Sequence, residues 1–182
     1  YWFITPKITY SLTHYNDIKH ARAEIDKSST RSLPIYSLDT GLIFERNSTV
    51  FGRETEQTLE PRLFYAYIPY RNQRHMPNFD SSSADLNFAE LFTPNKYTGF
   101  DRIANTNQLS AVLTTRYIDS GTGKEWFSAT VGQRYYFTDE KVDLYWSNPG
   151  KTKNRSDVLA ASQFSLFEGW RLEGAIQYST EW

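Results

Sequence analysis

Leu38-Asp39-Thr40-Gly41 carries the Asp-Thr-Gly triplet used by proteases with paired catalytic aspartates. That chemistry needs two carboxylates about 3 Å apart sharing one proton, supplied by two such motifs or by a homodimer. The chain holds one copy, inside an alternating segment that puts Asp39 on the polar face, so a lumen-facing aspartate is expected there. Ser120-Gly121-Thr122-Gly123-Lys124 has the outline of a phosphate-binding loop. The motif also needs a glycine five residues before the second glycine, Ser or Thr after the lysine, and a helix to follow. Ile118 and Glu125 stand at those positions and a strand pattern follows, so the segment reads as a hairpin turn. His14, His20 and His75 have no ligand spacing. Asp80, Asp85 and Glu90 are not spaced as a calcium loop and read as solvated loop acids. The sequons at Asn47-Ser48-Thr49 and Asn154-Arg155-Ser156 carry little weight. No catalytic residue, metal site or cofactor is expected.

Composition narrows the class further. Lysine and arginine number 20 against 21 acidic residues, so the strongly basic face of a nucleic-acid binder is absent and no nucleic-acid partner is expected. There are no cysteines, which excludes disulfides and thiolate metal sites within the chain. Aromatic residues make up 16% of it, and such rings favour strands and membrane interfaces over helical cores. No stretch approaches eighteen consecutive apolar residues, so membrane-spanning helices are not expected. No basic region followed by an apolar one opens the chain. Tyr1-Trp2-Phe3-Ile4 already lies in a strand pattern, and the expectation is a piece from the middle of a larger protein.

The elements that position these residues are strands. Period-2 alternation recurs in seven segments. The first sets Trp2, Ile4, Pro6, Ile8, Tyr10 and Leu12 against Thr5, Lys7, Thr9, Ser11 and Thr13. The second sets Pro34, Tyr36, Leu38, Leu42 and Phe44 against Ser37, Asp39 and Glu45. The third opposes Leu59, Pro61, Leu63, Tyr65 and Tyr67 to Glu56, Thr58, Glu60 and Arg62. The fourth opposes Leu109, Ala111, Leu113 and Tyr117 to Gln108, Ser110, Thr114 and Arg116. In the fifth, Phe127, Ala129, Val131, Tyr135 and Phe137 face away from Ser128, Thr130 and Arg134. The sixth is weakest, with Val158, Ala160, Phe164 and Leu166 against Asp157, Gln163 and Ser165. The seventh sets Trp170, Leu172, Ile176, Tyr178 and Trp182 against Arg171, Glu173, Gln177, Ser179 and Glu181.

A soluble sandwich also alternates, but three features favour a membrane. The segments run roughly 11 to 15 residues, where globular strands cluster near 5–6 and tilted membrane strands need about 9–11. The links alternate in length: long at 15–32, short at 47–53, very long at 69–106, short at 119–123, long at 139–156, then a turn at Glu168-Gly169. Outer-membrane barrels pair extended outer loops with tight periplasmic turns, and a sandwich has no reason to keep that rhythm. Charges such as Glu60 and Arg62 sit mid-strand on the face away from the apolar one, and aromatic residues (Trp2, Tyr67, Tyr135, Phe137, Trp170, Trp182) gather near segment ends. The expected fold is all-β: a transmembrane antiparallel barrel segment of seven to eight up-and-down strands from a larger barrel, forming one domain over 1–182. Val142, Leu144 and Trp146 could add the eighth strand or extend a hairpin beyond the bilayer. Lumen-lining candidates are Asp39, Glu56, Glu60, Arg62, Arg116, Arg134, Arg171, Glu173 and Gln177.

The link over 69–106 is expected to be extracellular. It is too long to be plain connection. It is also too rich in Phe79, Leu86, Phe88, Leu91, Phe92, Tyr97 and Phe100 to be disordered, so it is expected to fold back over or into the barrel.

Thr58-Leu59-Glu60-Pro61-Arg62, running on through Tyr67-Ile68-Pro69-Tyr70-Arg71, resembles the barrel of the LptD family of lipopolysaccharide-assembly proteins. So do Pro77-Asn78-Phe79-Asp80-Ser81-Ser82, Leu91-Phe92, Gly99-Phe100-Asp101-Arg102-Ile103 with Asn107-Gln108, Gly132-Gln133 with Tyr135-Tyr136-Phe137, and Gly174-Ala175-Ile176-Gln177-Tyr178. The resemblance is densest over 55–137. It singles out Asn78, Asp80, Asp101, Arg102, Asn107 and Gln108 as motif residues. It implies an integral outer-membrane protein of Gram-negative bacteria, a large barrel plugged by an LptE-like lipoprotein. Such a barrel takes lipopolysaccharide from a periplasmic Lpt bridge and releases it sideways between first and last strands. It also implies folding by the barrel-assembly machinery among membrane lipids, and no enzymatic step. The family's N-terminal periplasmic domain, its paired cysteines and the gate strands are expected to lie outside this portion. A generic outer-membrane pore or a small complete barrel is the alternative.

Overall fold

The computed structural model describes residues 1–16, 28–144, 153–167 and 169–179. Among them lie eight strands in one antiparallel sheet. These are β1 (Trp2–Tyr15), β2 (Ser29–Leu42), β3 (Phe44–Val50), β4 (Arg53–Ile68), β5 (Thr106–Asp119), β6 (Glu125–Tyr136), β7 (Val158–Phe167) and β8 (Trp170–Tyr178). The order is β1-β2-β4-β5-β6-β7-β8, with β3 paired to β4. Each strand thus lies beside its sequence neighbour, except that β2 and β3 both pair with β4, and the sheet stays open. No helix among the described residues is long and apolar enough to cross a membrane.

The eighth strand arises differently from either expectation. Register runs unchanged from Gly41↔Arg62 to Phe44↔Leu59, so β2 and β3 are one line with a break. The break falls opposite Pro61, whose nitrogen carries no hydrogen for the ladder. Val142 and Leu144 form no strand; they pack with Tyr97 and Ala104 in the loop region. Trp146 lies outside the described residues, as do His20, Glu168, Glu181 and Trp182.

The short links are turns set by their residue chemistry. Phe51-Gly52 closes β3–β4 with both residues at positive φ, 51° and 76°. At 120–124 the Asp119 carboxylate accepts from the amides of Gly121 and Thr122 (3.1 and 2.8 Å) and from the Thr122 hydroxyl (2.9 Å). Gly123 takes φ 69°. The segment is therefore an Asp-anchored hairpin, and no helix follows it to build a phosphate site.

Because Cβ atoms alternate along a strand, the register sorts side chains onto two faces. Pro61, Leu113, Val131, Ala160 and Ile176 form one row across five strands. Leu38, Tyr65, Leu109 and Tyr135 form another. Leu63, Leu113, Val131, Leu172 and Ile176 are exposed there; this is the bare face. The opposite face carries Asp39, Phe64, Ser110 and Arg134 in one row, and the 69–105 link lies against it.

Candidate functional site

The covered face divides along the strands. Toward the end where the long links emerge it is apolar as well as polar. Leu33 and Ile68 pack with Ile103 of the link. Val112 and Leu159 close over Leu91, flanked by Leu86, Phe88 and Phe92. Leu91 sits in a short 3-10 turn, Glu90–Phe92, and is fully buried. Gly132 makes that approach possible, since a Cβ there would lie 2.8 Å from Leu91 and 2.9 Å from Val112. The Phe92 ring meets Phe64 edge-on at 6.1 Å and lies 3.8 Å under the Arg62 guanidinium.

Polar anchors fix the same link. Arg31, 2% exposed, donates to the backbone oxygens of Asp101 (2.6 Å) and Phe100 (2.5 Å), to Gln73 Oε1 (2.9 Å) and to Thr13 (3.0 Å). Gln73, 0% exposed, spans to Ile103 by donating to its oxygen (2.7 Å) and accepting from its amide (3.2 Å). The two motif stretches clasp each other reciprocally. The Asp101 carboxylate accepts from the amides of Phe79 (2.5 Å) and Asp80 (2.8 Å), while Asp80 Oδ1 accepts from those of Phe100 (3.1 Å) and Asp101 (3.2 Å). Gly99, at φ 73°, lets the chain pass so close that a Cβ would lie 2.5 Å from Asp80. Asn78 holds Ser81 through its amide (3.0 Å), and Arg102 donates to the oxygens of Pro77 (2.8 Å) and Met76 (2.7 Å).

Burial alone would raise the Asp101 carboxyl, but donation from the Tyr15 hydroxyl and the Phe79 and Asp80 amides outweighs it and holds Asp101 below the ordinary range. Burial, then the hydrogen bond to Glu140, pushes the Tyr97 hydroxyl well up. Asp80, whose spacing reads as a solvated loop acid and which the resemblance singles out as a motif residue, is a backbone clasp. Glu90 accepts from Thr93, and Asp85 stays in the loop.

Toward the turns the covered face is bare of loop and polar. At the boundary with the link, Arg62, which stacks on Phe92, pairs with Asp39 through two bonds (2.8 and 2.5 Å). Asp39 of the Asp-Thr-Gly triplet is therefore an ion-pair partner across β2 and β4. Arg116 bridges Glu60 (3.0 Å) and Glu125 (2.8 Å). Glu56 lies on the same face nearer the turn, in register with Ile118. Arg171 and Glu173 meet at 3.6 Å, both exposed. Gln177 donates to Asp157 (2.7 Å). All of these sit on the covered face.

Arg134 differs from the other lumen-lining candidates. It is 3% exposed, lies under the link, and donates to the Glu90 oxygen and to Ser110 (3.3 Å). Gln108 likewise donates to the Thr93 oxygen (3.1 Å). Asn107 stands on the bare face and accepts from Tyr65 (2.9 Å). Sequence reasoning missed Arg31, Gln73, Leu33, Phe64, Ile68, Val112 and Leu159. The available signal was Leu63 to Ile68, apolar at every position, as in a strand covered on both faces.

The bare face is banded. Near the turns Tyr117, Trp126, Phe127 and Phe164 form a ring cluster with centroids 5.4–6.2 Å apart. Near the links Tyr36 and Tyr67 stand 6.3 Å apart, with Tyr65, Tyr135 and Tyr178 exposed beside them. Aliphatic side chains lie between.

Comparison with known proteins names this arrangement. The family model for LptD, LPS transport system D, matches residues 1–181. The chain is 43% identical over 185 residues to the LPS-assembly protein LptD of Paraburkholderia xenovorans, covering 99% of this chain and 23% of that protein. It is 46% identical to the LptD of Aromatoleum aromaticum, covering 98% of this chain and 22% of the relative. To the LptD of Thiobacillus denitrificans it is 41% identical, covering 100% and 24%. The chain thus spans about a quarter of the length of these relatives.

Proposed function

The chain belongs to the LptD family, and from that premise we propose that it is a section of outer-membrane barrel wall. In this reading it carries lipopolysaccharide on its covered side toward the outer leaflet. The single observation that carries the reading is the two-faced sheet: one continuous apolar face edged by two aromatic bands, backed by a polar face with its own docked loop. From Gln57 beside the lower band to Tyr67 in the upper, β4 advances ten residues. At roughly 3.4 Å per residue and a tilt of about 35–45°, that projects to roughly 25 Å, the height of an outer-membrane apolar band. The turns then face the periplasm and the 69–105 link faces outward. A lipoprotein plug, a periplasmic bridge delivering lipopolysaccharide, and assembly by barrel-folding machinery belong to the same proposal.

Two measurements test it on the full-length protein. Leu63→Arg places a charge on the bare face and should cost roughly 2–4 kcal/mol of insertion into liposomes, while Glu173→Gln on the covered face should insert normally. Equal behaviour of the two refutes the face assignment. Reconstituted proteoliposomes should then accept lipopolysaccharide; a parent that conducts ions freely but moves none is a pore.

A further inference from the structure

Regular pairing of β6 with β7, as at Gly132↔Leu159, would set Ser156 opposite Tyr135. The bridge there is instead Tyr135↔Arg155, so one extra residue sits between it and β7. Such a bulge re-aims side chains. Here it keeps Ser156 on the covered side, 6% exposed, and sends Arg155 out to the bare face beside Tyr135. Three bonds hold it. The Tyr136 amide donates to the Asn154 oxygen and the Ser156 amide to the Arg134 oxygen (both 2.8 Å), and Gln133 Nε2 donates to the Ser156 oxygen (2.9 Å). The two backbone bonds bracket Tyr135 and Arg155 as a non-hydrogen-bonded pair, the kind that brings facing side chains closest.

Arg155 is exposed, and its guanidinium has no hydrogen-bond or ion-pair partner among the described residues. The acid nearest in sequence, Asp157, is held on the covered side by Gln177 (2.7 Å). Along β6, Tyr135 stands eight residues outward of Phe127 in the turn-end ring cluster. At roughly 3.4 Å per residue and a tilt of about 35–45°, that projects to roughly 20 Å, close to the outer edge of an apolar band about 25 Å tall. A lipid-facing charge is costly at mid-band and tolerated at the edge, where the arginine stem lies along apolar surface and its head reaches the headgroups. Tyr135 and Tyr178, 40% and 55% exposed, flank it as interfacial rings do.

We propose that Arg155 is a docking point for the phosphate of an outer-leaflet lipid, its guanidinium forking onto two phosphate oxygens while Tyr135 flanks the headgroup. Charge complementarity selects the occupant: a bilayer supplies phosphate at this level, and the rows inward of it, through Val131 and Ile176, are apolar. The site rests on the barrel-wall reading above, and adds which lipid group the wall holds and where. This lipid surrounds the wall; it is not cargo on the covered side.

The test uses the full-length protein with p-benzoylphenylalanine in place of Tyr178, which is exposed, aromatic and one strand away. It is reconstituted in phosphatidylcholine vesicles containing a minor share of lipid A, a phosphorylated glycolipid, and the photocrosslinked lipids are identified by mass spectrometry. Capture of lipid A should exceed its share of the bilayer roughly fivefold, the scale of one interfacial cation. Arg155→Ala should bring capture down to the bulk share, and lipid A stripped of phosphate should show no enrichment. Arg46→Ala removes an exposed cation from the same face at the turn end, where it donates to Gln57, and should change nothing. Equal capture with and without Arg155→Ala, or an equal loss in Arg46→Ala, overturns the site. So does displacement of the lipid by inorganic phosphate, which would make this a free-anion site. Capture of both lipids at their bulk shares removes the site and leaves the face assignment standing; capture of no lipid at all removes both.

Discussion

The link-end and turn-end halves of the covered face are made by the same strands, yet they are held by different physics. At the link end, Leu91, Leu33 and Ile68 are withdrawn from solvent and Arg31 is spent on backbone oxygens seventy residues away in sequence. At the turn end, Arg116 keeps 42% of its side chain exposed while pairing with Glu60 and Glu125. One half is a small core built against a sheet. The other is a hydrated ion-pair surface, where water competes for every charge. Charge on the covered face therefore has two meanings: Arg31 and Arg134 pin structure, Arg116 lines an open surface, and Arg62 marks the boundary, paired with Asp39 and stacked on Phe92 of the link.

That contrast can be broken from either side. Leu91→Ala should have the largest effect, since truncating a fully buried leucine costs about 2–5 kcal/mol. Proteolysis within 70–105 should then accelerate while the sheet's far-UV spectrum holds; unchanged cleavage would mean that the link is not fixed by this contact. Arg31→Met removes the donor to two backbone oxygens and should cost about 1–3 kcal/mol, detected by hydrogen exchange at 100–103. Gly99→Ala forces a Cβ against Asp80 at positive φ and should cost about 1–3 kcal/mol, visible in the same exchange window.

Acid sharpens the contrast more gently. The Asp101 carboxyl is depressed in the fold from its ordinary 3.8. Its contribution is therefore complete above that value and drains as pH falls through the lower folded one. Link protection should weaken in that window, and Asp101→Asn should flatten the dependence. Arg116→Gln should have the smallest effect, under about 1 kcal/mol in denaturant midpoint. A loss comparable to that of Arg31→Met would erase the distinction between the halves.

The faces were legible because alternation is a local property of extended backbone. Leu63 and Arg62 point oppositely whatever surrounds them. Turn chemistry was legible for the same reason, since Asp119, Gly123 and Gly52 act within a few residues. The break between β2 and β3 was harder to see, because its mark is Pro61 on the neighbouring strand.

The motif residues Asn78, Asp80, Asp101 and Arg102 stood out in the sequence by resemblance alone. Their role as a reciprocal clasp depends on which amides meet which carboxylates. Arg134 read like any other polar-face charge, because nothing near it in sequence announces that Glu90 will sit above it.

By itself, then, the sequence determined the strand class, the two faces, the order of long and short links, and the family. Only the tertiary structure decided which half of the polar face is roofed, and that Arg31, Gln73 and Leu91 hold the roof. The physical reason is range. A strand's faces follow from the next residue's geometry, whereas docking depends on contacts such as Arg31 to Asp101, which exist only once the sheet has brought distant segments together.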